Sequence, residues 1–64
     1  MTITLNGDPT VLDGPTSVAD LIASQPKRSM AVALNGDVIP QSAHAATFIA
    51  DGDVVEIVTA VAGG

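Results

Sequence analysis

The segment with the clearest chemical potential is Ala62-Gly63-Gly64, at the end of the 64-residue sequence. Two consecutive glycines carry no side chain to obstruct a narrow channel and reach almost any φ/ψ combination. A partner enzyme can therefore draw the Gly64 carboxylate into its own active site. There it would attack the α-phosphate of ATP, and the acyl-adenylate so formed would offer an unhindered carbonyl to a sulfur or amine nucleophile. The same tripeptide also reads as a frayed end without a role, because free termini are commonly disordered. The residues alone leave both readings open.

The remaining candidates have stronger structural explanations. Asp51 and Asp53, with Asp37, have the oxygen chemistry of a Mg²⁺ or Ca²⁺ site. A calcium loop needs more ligands at defined spacing, however, and Asp-Gly-Asp is what a tight turn before a strand requires. His44 is the only histidine; with neither a nucleophile nor a second ligand in a recognisable pattern, it reads as a solvated or packing residue. Ser17 reads as a helix cap and not a nucleophile. No catalytic residue and no metal ligand is expected.

Composition narrows the function classes. Seven acidic side chains against Lys27 and Arg28 give a formal net charge of −5, which argues against binding a phosphate backbone and for a basic partner. The absence of cysteine excludes disulfides, thiolate metal sites and cysteine nucleophiles, and suits a reduced compartment. A chain this short makes one thin core with no room for a deep, enclosed active site, so an autonomous enzyme is not expected. Met1-Thr2-Ile3-Thr4-Leu5 lacks the basic flank and apolar run of a signal peptide, and no apolar stretch approaches a membrane span. The expectation is a soluble cytoplasmic protein with no nucleic-acid or membrane partner.

The elements that would position the tail follow from periodicity. Met1 to Leu5 alternates apolar and polar residues, Asn6-Gly7 is a hairpin signal, and Pro9 to Leu12 should return antiparallel. Gly14-Pro15 breaks the strand. Ser17, with Asp20 three residues on, marks a helix start; Val18, Leu21 and Ile22 form one apolar stripe over a helix ending near Ser24. Met30 to Leu34 suits a central strand, and a second Asn-Gly turn, Asn35-Gly36, leads to a short partner strand at Val38 and Ile39. Gln41 to Ala46 allows one helical turn, and Phe48 and Ile49 are expected beneath the sheet. Val54 to Val61, rich in β-branched residues, should be the second central strand. The expected fold class is α+β, a mixed sheet wrapped around one helix, with a core of Ile3, Leu5, Leu21, Ile22, Val32, Leu34, Val55 and Ile57.

Alternation along the last strand gives it two different faces. With Val55 and Ile57 toward the helix, Val54, Glu56 and Val58 point the other way. Beside the small side chains of Met30 to Leu34, Val54 and Val58 would form an apolar patch next to the tail, a candidate partner surface. Exposed apolar atoms are also ordinary on small proteins.

In this order and at this length, four segments resemble the ThiS family, the ubiquitin-like sulfur carriers of thiamine biosynthesis. They are Met1 to Gly7, then Val32-Ala33-Leu34-Asn35-Gly36-Asp37-Val38-Ile39-Pro40, then Asp51-Gly52-Asp53-Val54-Val55-Glu56-Ile57-Val58, and finally Gly63-Gly64. The resemblance covers essentially the whole chain. It implies a β-grasp domain over residues 1–61 and a flexible tail over 62–64. It also implies that an E1-like adenylating enzyme of the ThiF type activates the Gly64 carboxylate with its own ATP and Mg²⁺, the chain itself binding no cofactor. Sulfur from a donor would then give a thiocarboxylate for delivery to a thiazole synthase of the ThiG type. Gly64 would be the activated residue, Gly63 and Ala62 the lead-in, and Val54 and Val58 part of the partner surface. The chain would be a protein cosubstrate and not an enzyme. Relatives often carry a basic residue and a Trp after the proline, where this chain has Gln41 and His44, so the fine shape of the partner surface departs from theirs. Alternative readings are a carrier like the small subunit of molybdopterin synthase, usually a longer chain, a protein modifier joined through Gly64, or a regulatory binding module.

Overall fold

The computed structural model describes residues 1–26 and 28–59. Strand β1 (Thr2–Leu5) turns through Asn6 and Gly7, both at positive φ (49° and 85°), into β2 (Asp8–Val11). This is the combination that a two-residue hairpin matching strand twist requires. Pro9 sits on the edge strand opposite Thr4, whose own N–H points the other way, to Asp53, so the missing proline donor costs no ladder bond. Helix α1 (Val18–Ala23) follows. Its first turn is fixed by a reciprocal cap: the Asp20 N–H donates to Ser17 Oγ at 3.0 Å, and the Ser17 N–H donates to Asp20 Oδ2 at 3.2 Å. Ser17 is the one buried polar residue among those described, and capping accounts for it.

Strands β3 (Ser29–Leu34) and β4 (Asp37–Val38) form the second hairpin, again over an Asn-Gly pair at positive φ. A 3₁₀ turn (Gln41–Ala43) begins the crossover to β5 (Val54–Thr59), the middle strand of a sheet in the order β2-β1-β5-β3-β4. β5 runs parallel to β1 and antiparallel to β3. The core lies between this sheet and α1: Ile3, Val18, Leu21, Val32, Ile49, Val55 and Ile57 are buried, with Leu5, Ile22 and Leu34 packed half-buried against them. This is the β-grasp arrangement expected, a mixed sheet around one helix.

The crossover departs from expectation at one residue. Ile49 is buried, but Phe48 lies 61% exposed and does not tuck beneath the sheet. Phe48 pairs with Ser17 in an isolated antiparallel bridge, and adjacent residues of an extended chain point to opposite sides. Placing Ile49 in the core therefore turns Phe48 outward. The same crossover caps the helix, since Val18 N–H and Ala19 N–H donate to the carbonyls of Thr47 and His44. The final strand is described to Thr59, so its expected continuation to Val61 lies outside the described residues.

Candidate functional site

Residues paired across a sheet share a face, so the strand registers define the outer surface. One row runs Pro9, Thr4, Val54 across β2, β1 and β5; a second runs Val38, Ala33, Glu56 across β4, β3 and β5; a third pairs Ala31 with Val58. Four valines stand on this face with much of their surface in solvent: Val38 at 73%, Val11, which pairs with Thr2, at 72%, Val58 at 59% and Val54 at 43% exposed. Small side chains at Ala31 and Ala33 keep it low. Glu56 is its central charge, and a carboxylate in an apolar setting suits a partner that brings a cation to it. Val54 and Val58 are therefore exposed as the alternation predicts. Val38 joins them, and the sequence reading did not include it. The signal was available, because a two-residue Asn35-Gly36 loop places Val38 opposite Ala33.

The strand beneath this face is held from both sides by the two hairpin turns. On the β1 side, the Asn6 N–H donates to the Val55 carbonyl at 2.9 Å, and the Ile57 N–H donates to Asn6 Oδ1 at 2.7 Å. The carboxamide thus acts as one more rung of the parallel ladder after β1 has turned away. On the β3 side, the Asn35 N–H donates to the Val54 carbonyl at 2.7 Å, and Val54 N–H donates to Asn35 Oδ1 at 2.9 Å. Asn35 Nδ2 also donates to Asp53 Oδ1 at 3.1 Å. Both asparagines, legible in the sequence as turn formers, fasten the central strand as well.

Asp51 and Asp53 serve the turn. Asp51 Oδ1 accepts from the Thr2 N–H at 2.8 Å, Asp53 Oδ2 accepts from the Ala50 N–H at 2.7 Å, and Gly52 between them has φ +84°. These bonds tie the start of β5 to β1 and to Asn35. Asp37 opens β4 and is not brought to the pair by any hydrogen bond among the described residues. His44 lies elsewhere, after the 3₁₀ turn, its Nε2 3.0 Å from the Ile39 carbonyl. Because a carbonyl only accepts, that nitrogen carries the proton. The expected reactive residue Gly64 and its lead-in, Gly63 and Ala62, lie outside the described residues. What the structure does give is their approach: β5 carries the chain toward them, and its last residue, Thr59, pairs with Ser29.

A family model described as the ThiS family matches residues 3–64. The chain belongs to the ThiS family. The crystal structure of the thiamine biosynthesis protein ThiS from Geobacter metallireducens is 36% identical and superposes with a TM-score of 0.78, each chain covered in full. The solution structure of a thiamine biosynthesis protein from Geobacter metallireducens gives a TM-score of 0.77 at 36% identity, over all of this chain and 88% of that one. Comparison with curated proteins gives no significant match. Among the described residues, no helix is long and apolar enough to cross a membrane.

Proposed function

We propose that this ThiS-family chain is a sulfur carrier of thiamine biosynthesis, a protein cosubstrate whose reactive group is the Gly64 carboxylate. An E1-like adenylating enzyme of the ThiF type binds the carrier and presents ATP and Mg²⁺. The carboxylate oxygen attacks the α-phosphate, pyrophosphate leaves, and a sulfur nucleophile then displaces AMP from the acyl-adenylate. The thiocarboxylate that results carries sulfur to a thiazole synthase of the ThiG type. Family membership supports this reading most directly, since the match runs through residue 64. The sheet supports it physically. A central strand fastened on both edges carries an apolar face at the root of the segment in question, so one rigid surface can serve a succession of partners.

Replacing glycine tests the threading step. Gly63→Val and Gly64→Val should leave the fold unchanged while abolishing ATP-dependent pyrophosphate release with a ThiF-type enzyme, because a β-branched side chain would obstruct the channel. Normal release by either variant would overturn the mechanism. Running the same assay with an adenylating enzyme of the molybdopterin branch separates the two carrier pathways.

A further inference from the structure

The sequence contains the tetrapeptide Leu-Asn-Gly-Asp twice, as Leu5-Asn6-Gly7-Asp8 and Leu34-Asn35-Gly36-Asp37, and the two copies hold its only asparagines. The fold uses both in the same way, as hairpin loops, with the asparagines at φ 49° and 51° and the glycines at 85° and 88°. Both asparagines and both glycines are exposed. Local sequence, backbone conformation and access to water are therefore matched, and any chemical difference between the two sites comes from what their side chains touch elsewhere in the fold.

An Asn-Gly pair carries a reaction of its own, since asparagine is a labile residue and glycine has no side chain to shield its nitrogen. The glycine nitrogen attacks the asparagine Cγ, the bond from Cγ to Nδ2 breaks, and the amide leaves as ammonia with the glycine N–H proton. Water then opens the cyclic imide to aspartate or isoaspartate. Ring closure needs Cγ and the nitrogen in near-attack geometry, so the bonds that hold the carboxamide against β5 have to break first. Here the two sites part. Among the described residues Asn6 has one side-chain bond, from the Ile57 N–H to Oδ1 at 2.7 Å. Asn35 has two: Oδ1 accepts from the Val54 N–H at 2.9 Å, and Nδ2 donates to Asp53 Oδ1 at 3.1 Å. The second bond has a carboxylate acceptor and holds the nitrogen that must leave.

We propose that Asn6 is a site of spontaneous deamidation and that Asp53 shields Asn35, in the same tetrapeptide, from the same reaction. Conversion at Asn6 adds a negative charge beside β5 on its β1 side. The aspartate product keeps an acceptor for the Ile57 N–H, whereas the isoaspartate product routes the main chain through Cβ and lengthens a loop whose length sets the register of β1 on β2. The clamp on the β3 side stays as it is. The inference goes beyond the chemistry proposed at Gly64 and does not use it.

The test is a time course of the full chain in mildly alkaline buffer, folded and in concentrated urea, followed by trypsin and mass spectrometry. Lys27 and Arg28, the only tryptic sites, lie between the two asparagines, so each reports in its own peptide, and fragmentation places the amide-to-acid mass gain. In the folded chain Asn6 should convert about tenfold faster than Asn35, the rate equivalent of one charge-assisted hydrogen bond. In urea the two rates should coincide, because the tetrapeptides are identical. Asp53→Ala, checked for a retained fold by its urea unfolding curve, should raise the Asn35 rate toward that of Asn6. Equal rates in the folded chain, or a faster Asn35, would overturn the proposal. So would a gap that persists in urea, which would place its cause outside the fold, or a gap that folded Asp53→Ala leaves unchanged.

Discussion

The two faces of β5 are built from nearly the same side chains and do opposite things. Val55 and Ile57 lie against α1, while Val54 and Val58, one residue out of phase, stand in solvent beside Ala31, Ala33 and Val38. Residue type does not distinguish the faces; phase does. Folding uses the inner face, which leaves a rigid apolar outer surface with one acid, Glu56, at its centre. The asparagine clamps at Asn6 and Asn35 join the two roles, because they hold the strand by its backbone and leave both faces clear.

The contrast is broken most severely from inside. Ile57→Ala removes a buried side chain from a thin core and should cost about 2–5 kcal/mol, enough to unfold much of a 64-residue domain, as thermal or urea denaturation would register. If Ile57→Ala melted like the parent protein, the inner face would not be what holds the fold. A smaller effect should separate the two clamps. Asn35→Asp replaces a donor to Asp53 by a second carboxylate and should cost about 1–2 kcal/mol, whereas Asn6→Asp keeps its acceptor for the Ile57 N–H and should stay within about 0.5 kcal/mol. Equal losses in parallel urea titrations would mean that the carboxamides matter only to the turns. Smallest in stability is Val58→Asp, within about 0.5 kcal/mol of the parent, yet it should sharply weaken the complex with a ThiF-type enzyme measured by calorimetry. Unchanged binding would remove the outer face from the partner surface.

Much of this architecture was legible because its signals are local. Asn6-Gly7 and Asn35-Gly36 fixed two hairpins, Ser17 with Asp20 fixed the helix start, and the alternation in β5 assigned Val55 and Ile57 to the core. The errors fell where tertiary geometry decides. Phe48 and Ile49 were both expected beneath the sheet, but in the extended crossover that bridges Ser17 only Ile49 faces the core and Phe48 turns outward. The reach of the Asn6 and Asn35 carboxamides to β5 spans 51 and 19 residues of sequence, beyond any local pattern. At the candidate site, Val54 and Val58 were readable from period two, while Val38 needed the hairpin register to be carried across to β3. Gly64 lies outside the described residues, and its proposed role depends on what a partner does to it, so that reading rests on the sequence.

The most direct measurement is intact-mass spectrometry of the purified chain after incubation with ATP, Mg²⁺, a ThiF-type adenylating enzyme and a sulfur donor, beside a control without ATP. The account predicts an ATP-dependent exchange of one oxygen for sulfur, mapped to Gly64 by fragmentation. An unchanged mass with an enzyme shown to be active on another carrier would contradict the account.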